Sequence, residues 1–297
     1  MDNLAIKTEG LSKRFGKKMA VDDLNLEVCK GSVYGFLGRN GAGKTTAIKM
    51  LLGLLQSNSG KISVLNLDPL KKSTEIKRRV GYVAENQKMY DWMTIEEIMG
   101  FSGSFYPTWD TNLAEELLRK FELPRKEKLK NLSRGMYGKV ALLLALSHNP
   151  ELLILDDPTS GLDAVVRREF LEGIVEIIRE ENRTVFFSTH IINEIERVAD
   201  YIGIVEEGKL LTASSLDDLK SSVKKVRLIF EDKIPEKIEI DGLLQMEKSG
   251  HELVLTLKEF QKERLETLRR YSPKSTEVID LGLEDIFVSL VGKRSEE

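Results

Sequence analysis

SVYGFLGRNGAGKTT, residues Ser32 to Thr46, decides the fold. Its first half is apolar and interrupted by glycine, which reads as a buried strand. Its second half, Gly38-Arg39-Asn40-Gly41-Ala42-Gly43-Lys44-Thr45, fits G-x-x-x-x-G-K-[ST], with Thr46 next. AIKMLLGLL follows, with Ile48, Leu51, Leu52 and Leu55 at helical spacing. Strand, glycine loop and helix in that order form a phosphate cradle. Glycines let backbone N–H groups turn inward with no Cβ in the way. The helix N-terminus adds partial positive charge. Such a loop sets Lys44 to reach the β- and γ-phosphates of a nucleotide and Thr45 to ligate Mg²⁺.

Outward from this stretch, IKTEGLSKRFG and VDDLNLEV alternate like edge strands, and KISVLN and RRVGYVAE read as two more. From about residue 86 to 149 the pattern is helical: NLAEELLRKFEL carries Leu113, Leu117, Leu118 and Phe121 at helical spacing, and GKVALLLALSHN is apolar enough to be buried. ELLILDD and TVFFSTH return as continuous apolar strands, with helices over VRREFLEGIVEIIRE and IINEIERVAD, then a hairpin, YIGIVEEGKLLTA. Apolar strands alternating with helices indicate a parallel sheet covered on both faces. Beyond about residue 215, KKVRLIFED and ELVLTL read as short strands, and KERLETLRRYS and GLEDIFVSLV as helices.

The chain has 297 residues, 41% hydrophobic and 31% charged, with a net charge of −3. That supports a sizeable core and excludes wholesale disorder. It gives no basic surface for nucleic acid, so none is expected as a partner. Cys29 is the one cysteine, which excludes an internal disulfide and fits a reducing compartment. The opening MDNLAIKTEG lacks the apolar core of a signal peptide, and no stretch approaches a membrane span.

ELLILDD ends in paired carboxylates. A buried strand can deliver both to the sheet edge that also holds the phosphate loop. Asp156 suits the Mg²⁺ shell, and Asp157 suits a group that orients or deprotonates the attacking water. His148 and His251 read as surface or helix-end residues, Trp92 and Trp109 as packing residues, and Lys71 to Arg79 as a solvated helix face.

LSRGM at Leu132–Met136, then LLILDDPTSGLD, then STH, follow the phosphate loop in that order. Over residues 4 to 213 the chain thereby resembles the ATP-binding subunit of an ABC transporter. The resemblance implies an α/β fold: a P-loop NTPase core with a parallel sheet flanked by helices, an antiparallel edge sheet and a helical signature subdomain. Residues 1–214 would form the cassette, with its helical part at about 86–149, and 215–297 a small α+β C-terminal appendage. It implies ATP and Mg²⁺ as cofactors, with Phe15 stacked on adenine and His190 as the switch histidine at the γ-phosphate. Ser160, Gly161, Leu162 and Asp163 match the D-loop. Ser133 and Gly135 would contact the γ-phosphate held by a second ATP-binding subunit, in a head-to-tail dimer that is homomeric or heteromeric.

Three departures stand out. LSRGM has Arg134 and Met136 where the family usually has Gly and Gln; Arg134 either adds a contact or faces solvent, and the solvent reading is favoured. In VGYVAENQ, Glu85 occupies the place of the Q-loop glutamine and Gln87 lies two residues on; either is a candidate. Asp157 stands where the family has glutamate, shorter by one methylene, which implies slow hydrolysis unless the strand end is shifted to compensate.

The leading function is an ATPase that powers a separate membrane permease, held peripherally at the cytoplasmic face of a bacterial membrane. Trp92 and Tyr90 lie just after the Q-loop, where family members receive a helix of the membrane subunit. STEVIDLGLEDIFVSLV resembles the ending of ATPases of drug, antibiotic and lipid exporters. A weakly hydrolysing regulatory cassette is the alternative that Asp157 and LSRGM suggest. A soluble cassette acting on ribosomes or DNA is disfavoured: the chain holds a single cassette, and too few residues separate Lys44 from Leu132 for a coiled-coil insertion.

Overall fold

In a computed structural model, residues 3–181, 183–235 and 237–292 are described. The chain divides into two compact units, 1–213 and 214–297. The first opens with β1 (Leu4–Phe15), β2 (Lys18–Cys29), β3 (Val33–Leu37), α1 (Lys44–Leu51), β4 (Ser59–Val64), α2 (Ser73–Arg79) and β5 (Val80–Val83). Helices α3 (Ile95–Gly103), α4 (Thr111–Lys120) and α5 (Arg134–Leu146) follow. It closes with β6 (Leu152–Asp156), α6 (Ala164–Glu181), β7 (Thr184–Thr189), α7 (Ile192–Val198), β8 (Tyr201–Glu206) and β9 (Lys209–Ser215).

The six-stranded sheet has the order β5-β6-β7-β3-β8-β9, and its first five strands are parallel. β6 and β7 are buried along their whole length, which is why their sequences are apolar runs and not alternations. Tyr34 of β3 stacks on its register partner Phe186 of β7 at 5.7 Å, and Phe36 meets the same ring at 5.3 Å. β8 turns into β9 through Glu207 and Gly208, both at positive φ (48 and 83), the backbone a two-residue hairpin demands. A separate antiparallel sheet, β2-β1-β4, shares the core with α1 through Leu24, Leu26, Ile48 and Leu51.

Caps set the helix starts in the middle segment. Thr94 and Glu97 form a capping box at α3, and Asp110 accepts from the N–H groups of Asn112 and Leu113 at α4. Ser133 accepts the Met136 N–H at 3.2 Å, so α5 begins at Arg134, ahead of the apolar run that announces it. α1 stops at Leu51 because Gly53 takes φ 65; Leu55 is therefore outside the helix its spacing predicts.

One of the two tryptophan readings changes. Trp109 packs on Gly103, but Trp92 is 64% exposed and is not a packing residue. It meets Tyr90 at 6.0 Å, and Tyr90, Phe101 and Phe105 continue as edge contacts of 5.3 and 5.1 Å, an exposed ladder of rings.

His148 does sit at a helix end, yet it is only 1% exposed and stacks on Tyr106 at 4.1 Å. Burial lowers its pKa from 6.5 to about 4; backbone groups of His148 and Arg78 oppose this and Arg183 adds to it. The folded chain disfavours the charged ring, so the neutral ring's contribution is complete above pH 6.5 and is lost as pH falls toward 4. The loss amounts to about 3 kcal/mol. Thermal melts from pH 7 to 4 are expected to show a shallower acid slope in His148→Phe, which keeps an aromatic ring but has no proton to gain. An unchanged slope would remove this role.

The second unit contains α8 (Leu216–Ser222), β10 (Lys224–Ile229), β11 (Leu243–Ser249), β12 (Glu252–Leu257), α9 (Glu263–Arg269), β13 (Ser275–Asp280) and α10 (Leu283–Val291). Its antiparallel sheet has the order β11-β12-β10-β13, and Val226, Leu228, Leu253, Leu255 and Leu268 share one core. β11, β13 and α8 are additions to the elements predicted. β13 is almost wholly exposed and has no apolar rhythm; pairing with β10 makes it a strand. No helix among the described residues is long and apolar enough to cross a membrane.

Candidate active site

Three strand ends build the site. β3 leads into the glycine loop and α1, β6 ends at Asp156, and β7 ends at Thr189, one residue before His190. Register sets Leu37 beside Thr189 and Asp156 beside Ser188. All three connections therefore leave one edge of the sheet, where open α/β sheets bind ligands.

The loop requires glycine at Gly43, which has φ 106 and would bring a Cβ within 2.2 Å of Ala20 O. Lys44 follows, 6% exposed. Its Nζ donates to Gly38 O at 2.8 Å and Arg39 O at 3.3 Å, so the ammonium lies back across its own loop. Burial holds its pKa below the ordinary lysine value, and the carboxylates of Asp157, Asp156, Glu85 and Glu206 pull against that.

Asp156 is 1% exposed, and its Oδ1 accepts from Ser188 Oγ at 2.8 Å and Thr45 Oγ1 at 3.2 Å. Burial raises its pKa, these two hydrogen bonds lower it, and Glu85 and Asp157 add to the rise. Asp157 is 4% exposed and takes the left-handed backbone, φ 48, a strained conformation for a non-glycine residue. Its N–H donates to Ser188 O at 3.0 Å, and its Oδ2 meets His190 Nδ1 at 2.8 Å. Its Oδ1 is buried with no hydrogen-bond partner among the described residues.

A cleft of about 380 Å³ is lined by Phe15, Lys18, Asn40, Gly41, Gly43, Lys44, Thr45, Thr46, Glu85 and Asp157. Arg39, Ala42 and His190 line the adjoining cavity with Asn40 and Gly41. The Phe15 ring is half exposed, with Lys13 Nζ 5.3 Å from its centre. Of the two Q-loop candidates, Glu85 lines both this cleft and the cavity beside it that Gln87 lines, and lies 3.5 Å from Ser160 Oγ. Gln87 accepts the Ala84 N–H at 3.3 Å and lines that second cavity, with Tyr137 and Pro158.

Ser133 and Gly135 do not line the phosphate-loop cleft. They sit at the start of α5, where Gly135 lets the helix approach Val166; a Cβ there would come within 2.5 Å of its methyl. Arg134 is exposed, in line with the solvent reading, and its Nη1 also passes beside the D-loop, 2.6 Å from where a Cβ on Gly161 would stand. Asp163 caps α6 by accepting from the N–H groups of Val165 and Val166 at 3.0 Å each. Ser188, which holds both acidic residues, is hidden in the sequence as one more residue of a buried strand.

The family model described as ABC transporter matches residues 21–160. The bacitracin transport ATP-binding protein BcrA of Bacillus licheniformis is 41% identical over 222 residues, 74% of this chain and 72% of that protein. The ABC transporter ATP-binding protein YtrB of Bacillus subtilis is 28% identical over 287 residues, 97% of this chain and 98% of that one. A solved ATP-binding subunit of an ABC transporter superposes with a TM-score of 0.66 at 28% identity, covering 73% of this chain and 92% of its own. The chain belongs to the ATP-binding proteins of ABC transporters.

Proposed function

We propose that the chain is a Mg²⁺-dependent ATPase that drives export through a separate membrane permease, from the cytoplasmic face of the membrane. Residues 1–214 act as the cassette and 215–297 as an accessory α+β domain. Lys44, Thr45, Asp156, Asp157 and His190 come from separate stretches of chain and converge on one sheet edge. That convergence supports hydrolysis over nucleotide binding alone.

The donor set fits Mg²⁺. Thr45 Oγ1 and Asp156 Oδ1 offer hard oxygen ligands 3.2 Å apart, in a buried, acidic setting that also holds the unpartnered Asp157 Oδ1. When bound, the ion neutralises charge on the β- and γ-phosphates. The chain's own residues do the rest. Gly41, Gly43, Asn40 and Thr46 hold the phosphates through the loop and the start of α1. Lys44 exchanges its two carbonyl partners for phosphate oxygens. Asp157 orients the attacking water and takes its proton, and His190 holds Asp157 in place and faces the γ-phosphate. Glu85 supplies the Q-loop contact. Ser133 and Gly135 close the site on a second, head-to-tail subunit, which accounts for their position away from their own phosphate loop.

The ring ladder of Tyr90, Trp92, Phe101 and Phe105 is the surface offered to the permease. The direction, export, rests on the C-terminal STEVIDLGLEDIFVSLV and its resemblance to the ending of exporter ATPases; the likeness to a bacitracin transport protein supports transport. Phosphate release by the full chain is expected with ATP and Mg²⁺ and expected to vanish on adding EDTA; turnover undiminished by EDTA would refute the Mg²⁺ assignment. Phe15 stacks on a π-face that every base presents and brings no base-edge donor of its own. GTP is therefore expected to compete with ATP within about tenfold, or 1.4 kcal/mol. A stronger preference in a competition assay would point to contacts on the base edge.

A further inference from the structure

We infer that Glu194, a residue of α7 outside the phosphate-loop cleft, is a positioning residue for hydrolysis: it ties the segment after β6 to the end of β7, so that Asp157 meets His190. Its carboxylate is 2% exposed and fully engaged. Oε1 accepts from Thr159 Oγ1 and Oε2 accepts from Thr189 Oγ1, both at 2.7 Å. Thr159 lies two residues after Asp157, and Thr189 lies immediately before His190. One side chain thus bridges the two backbone segments that carry the pair.

The clamp has a second arm. Arg167 of α6 stands 3.3 Å from Glu194 Oε1 as an ion pair, and its Nη2 donates to Leu162 O at 2.9 Å. The D-loop is therefore held just before its start, at Thr159, by Glu194 and within it, at Leu162, by Glu194's own counter-ion.

Asp157 shows why a tie is needed. A non-glycine residue at φ 48 persists where its surroundings over-determine it. Ser188 fixes the Asp157 N–H from within the sheet, and the Glu194–Thr159 bond fixes the chain beyond it. With that bond removed, Asp157 can relax toward an unstrained backbone and draw its carboxylate away from His190. Burying a carboxylate without partners is costly, so two hydroxyl donors and an arginine around Glu194 constitute a built feature. Sequence alone gives no sign of it, because Glu194 sits among Ile192 and Ile195 like any polar residue of an amphipathic helix.

This role rests on Asp157 and His190 acting as proposed above, and the test separates the two. In the purified full chain, Thr159→Val replaces one hydroxyl by a methyl, Thr159→Ser keeps the hydroxyl, and Glu194→Asp keeps the charge but cannot span both threonines. Thr159→Val and Glu194→Asp are each expected to lower kcat at least about tenfold, since a shift near 1 Å can cost far more. KM for ATP should stay within about threefold, as the phosphate loop is untouched. Thr159→Ser should hold the wild-type rate, and the double variant should be no slower than Glu194→Asp alone, because both remove one tie. If Glu194→Asp does not fold, the Thr159→Val and Thr159→Ser pair decides. Wild-type kcat in Thr159→Val, or losses that add and track a falling melting temperature, would overturn the inference. With Asp157→Asn run alongside, a dead Asp157→Asn beside a normal Thr159→Val overturns the tie alone, whereas a normal Asp157→Asn overturns both.

Discussion

Lys44→Ala is expected to abolish measurable ATP hydrolysis, a fall of at least about 10²-fold, and to weaken ATP binding at least about tenfold. The ammonium is the cation of the phosphate loop, and its partners in the free chain are the carbonyls of Gly38 and Arg39, 2.8 and 3.3 Å away. Phosphate oxygens replace these carbonyls at small cost in reorganisation, so the charge is pre-placed for the transition state. Nζ bonds two loop carbonyls and is attracted by Asp157, Asp156, Glu85 and Glu206, and removing this buried cation relieves a desolvation cost that offsets the loss of those partners. The melting temperature should therefore hold while activity disappears, which separates lost chemistry from lost folding. Lys44→Arg is expected to be impaired as well, because a forked guanidinium does not fit a slot shaped for a point charge. Wild-type turnover in Lys44→Ala would remove the phosphate-loop assignment.

Asp157→Asn is expected to bind ATP as the wild type does and to lose about 10²- to 10⁴-fold in kcat, the usual span for removing a general base. Size and backbone are kept; charge and one acceptor are lost. Asp157→Glu is the sharper companion. The aspartate meets His190 at 2.8 Å from a strained backbone, and under the proposed mechanism the strand end compensates for the shorter side chain. An added methylene in a position only 4% exposed displaces the carboxylate, and Asp157→Glu should turn over more slowly than the wild type. A faster Asp157→Glu would mean that the short side chain limits the natural rate.

What could be read in the sequence was whatever local chemistry forces. The glycine loop, the apolar runs of β6 and β7 and the acidic strand end each have a reason that acts within a few residues. The convergence of Lys44, Asp156 and His190 follows from a parallel sheet whose strand ends share an edge. What could not be read depends on distant partners. β13 is polar and exposed, and β10 makes it a strand. Arg134 lies over Gly161 because α5 and the D-loop meet in space. Glu85 and Gln87 are equal on paper; the turn at Ala84 sends one into the cleft and folds the other away. The burial of His148 is of the same kind: a helix-end histidine carries no local signal of the Tyr106 ring that covers it.

In the proposed mechanism two chains close on ATP and Asp157 then drives hydrolysis. Size-exclusion chromatography of Asp157→Asn with Mg²⁺ and ATP tests it most directly. With binding intact and turnover blocked, the ATP-bound state should accumulate as a particle of two chains, absent without nucleotide and absent when Lys44→Ala is added to the same chain. A protein that stays monomeric with ATP bound, or that releases phosphate at the wild-type rate, would contradict the account.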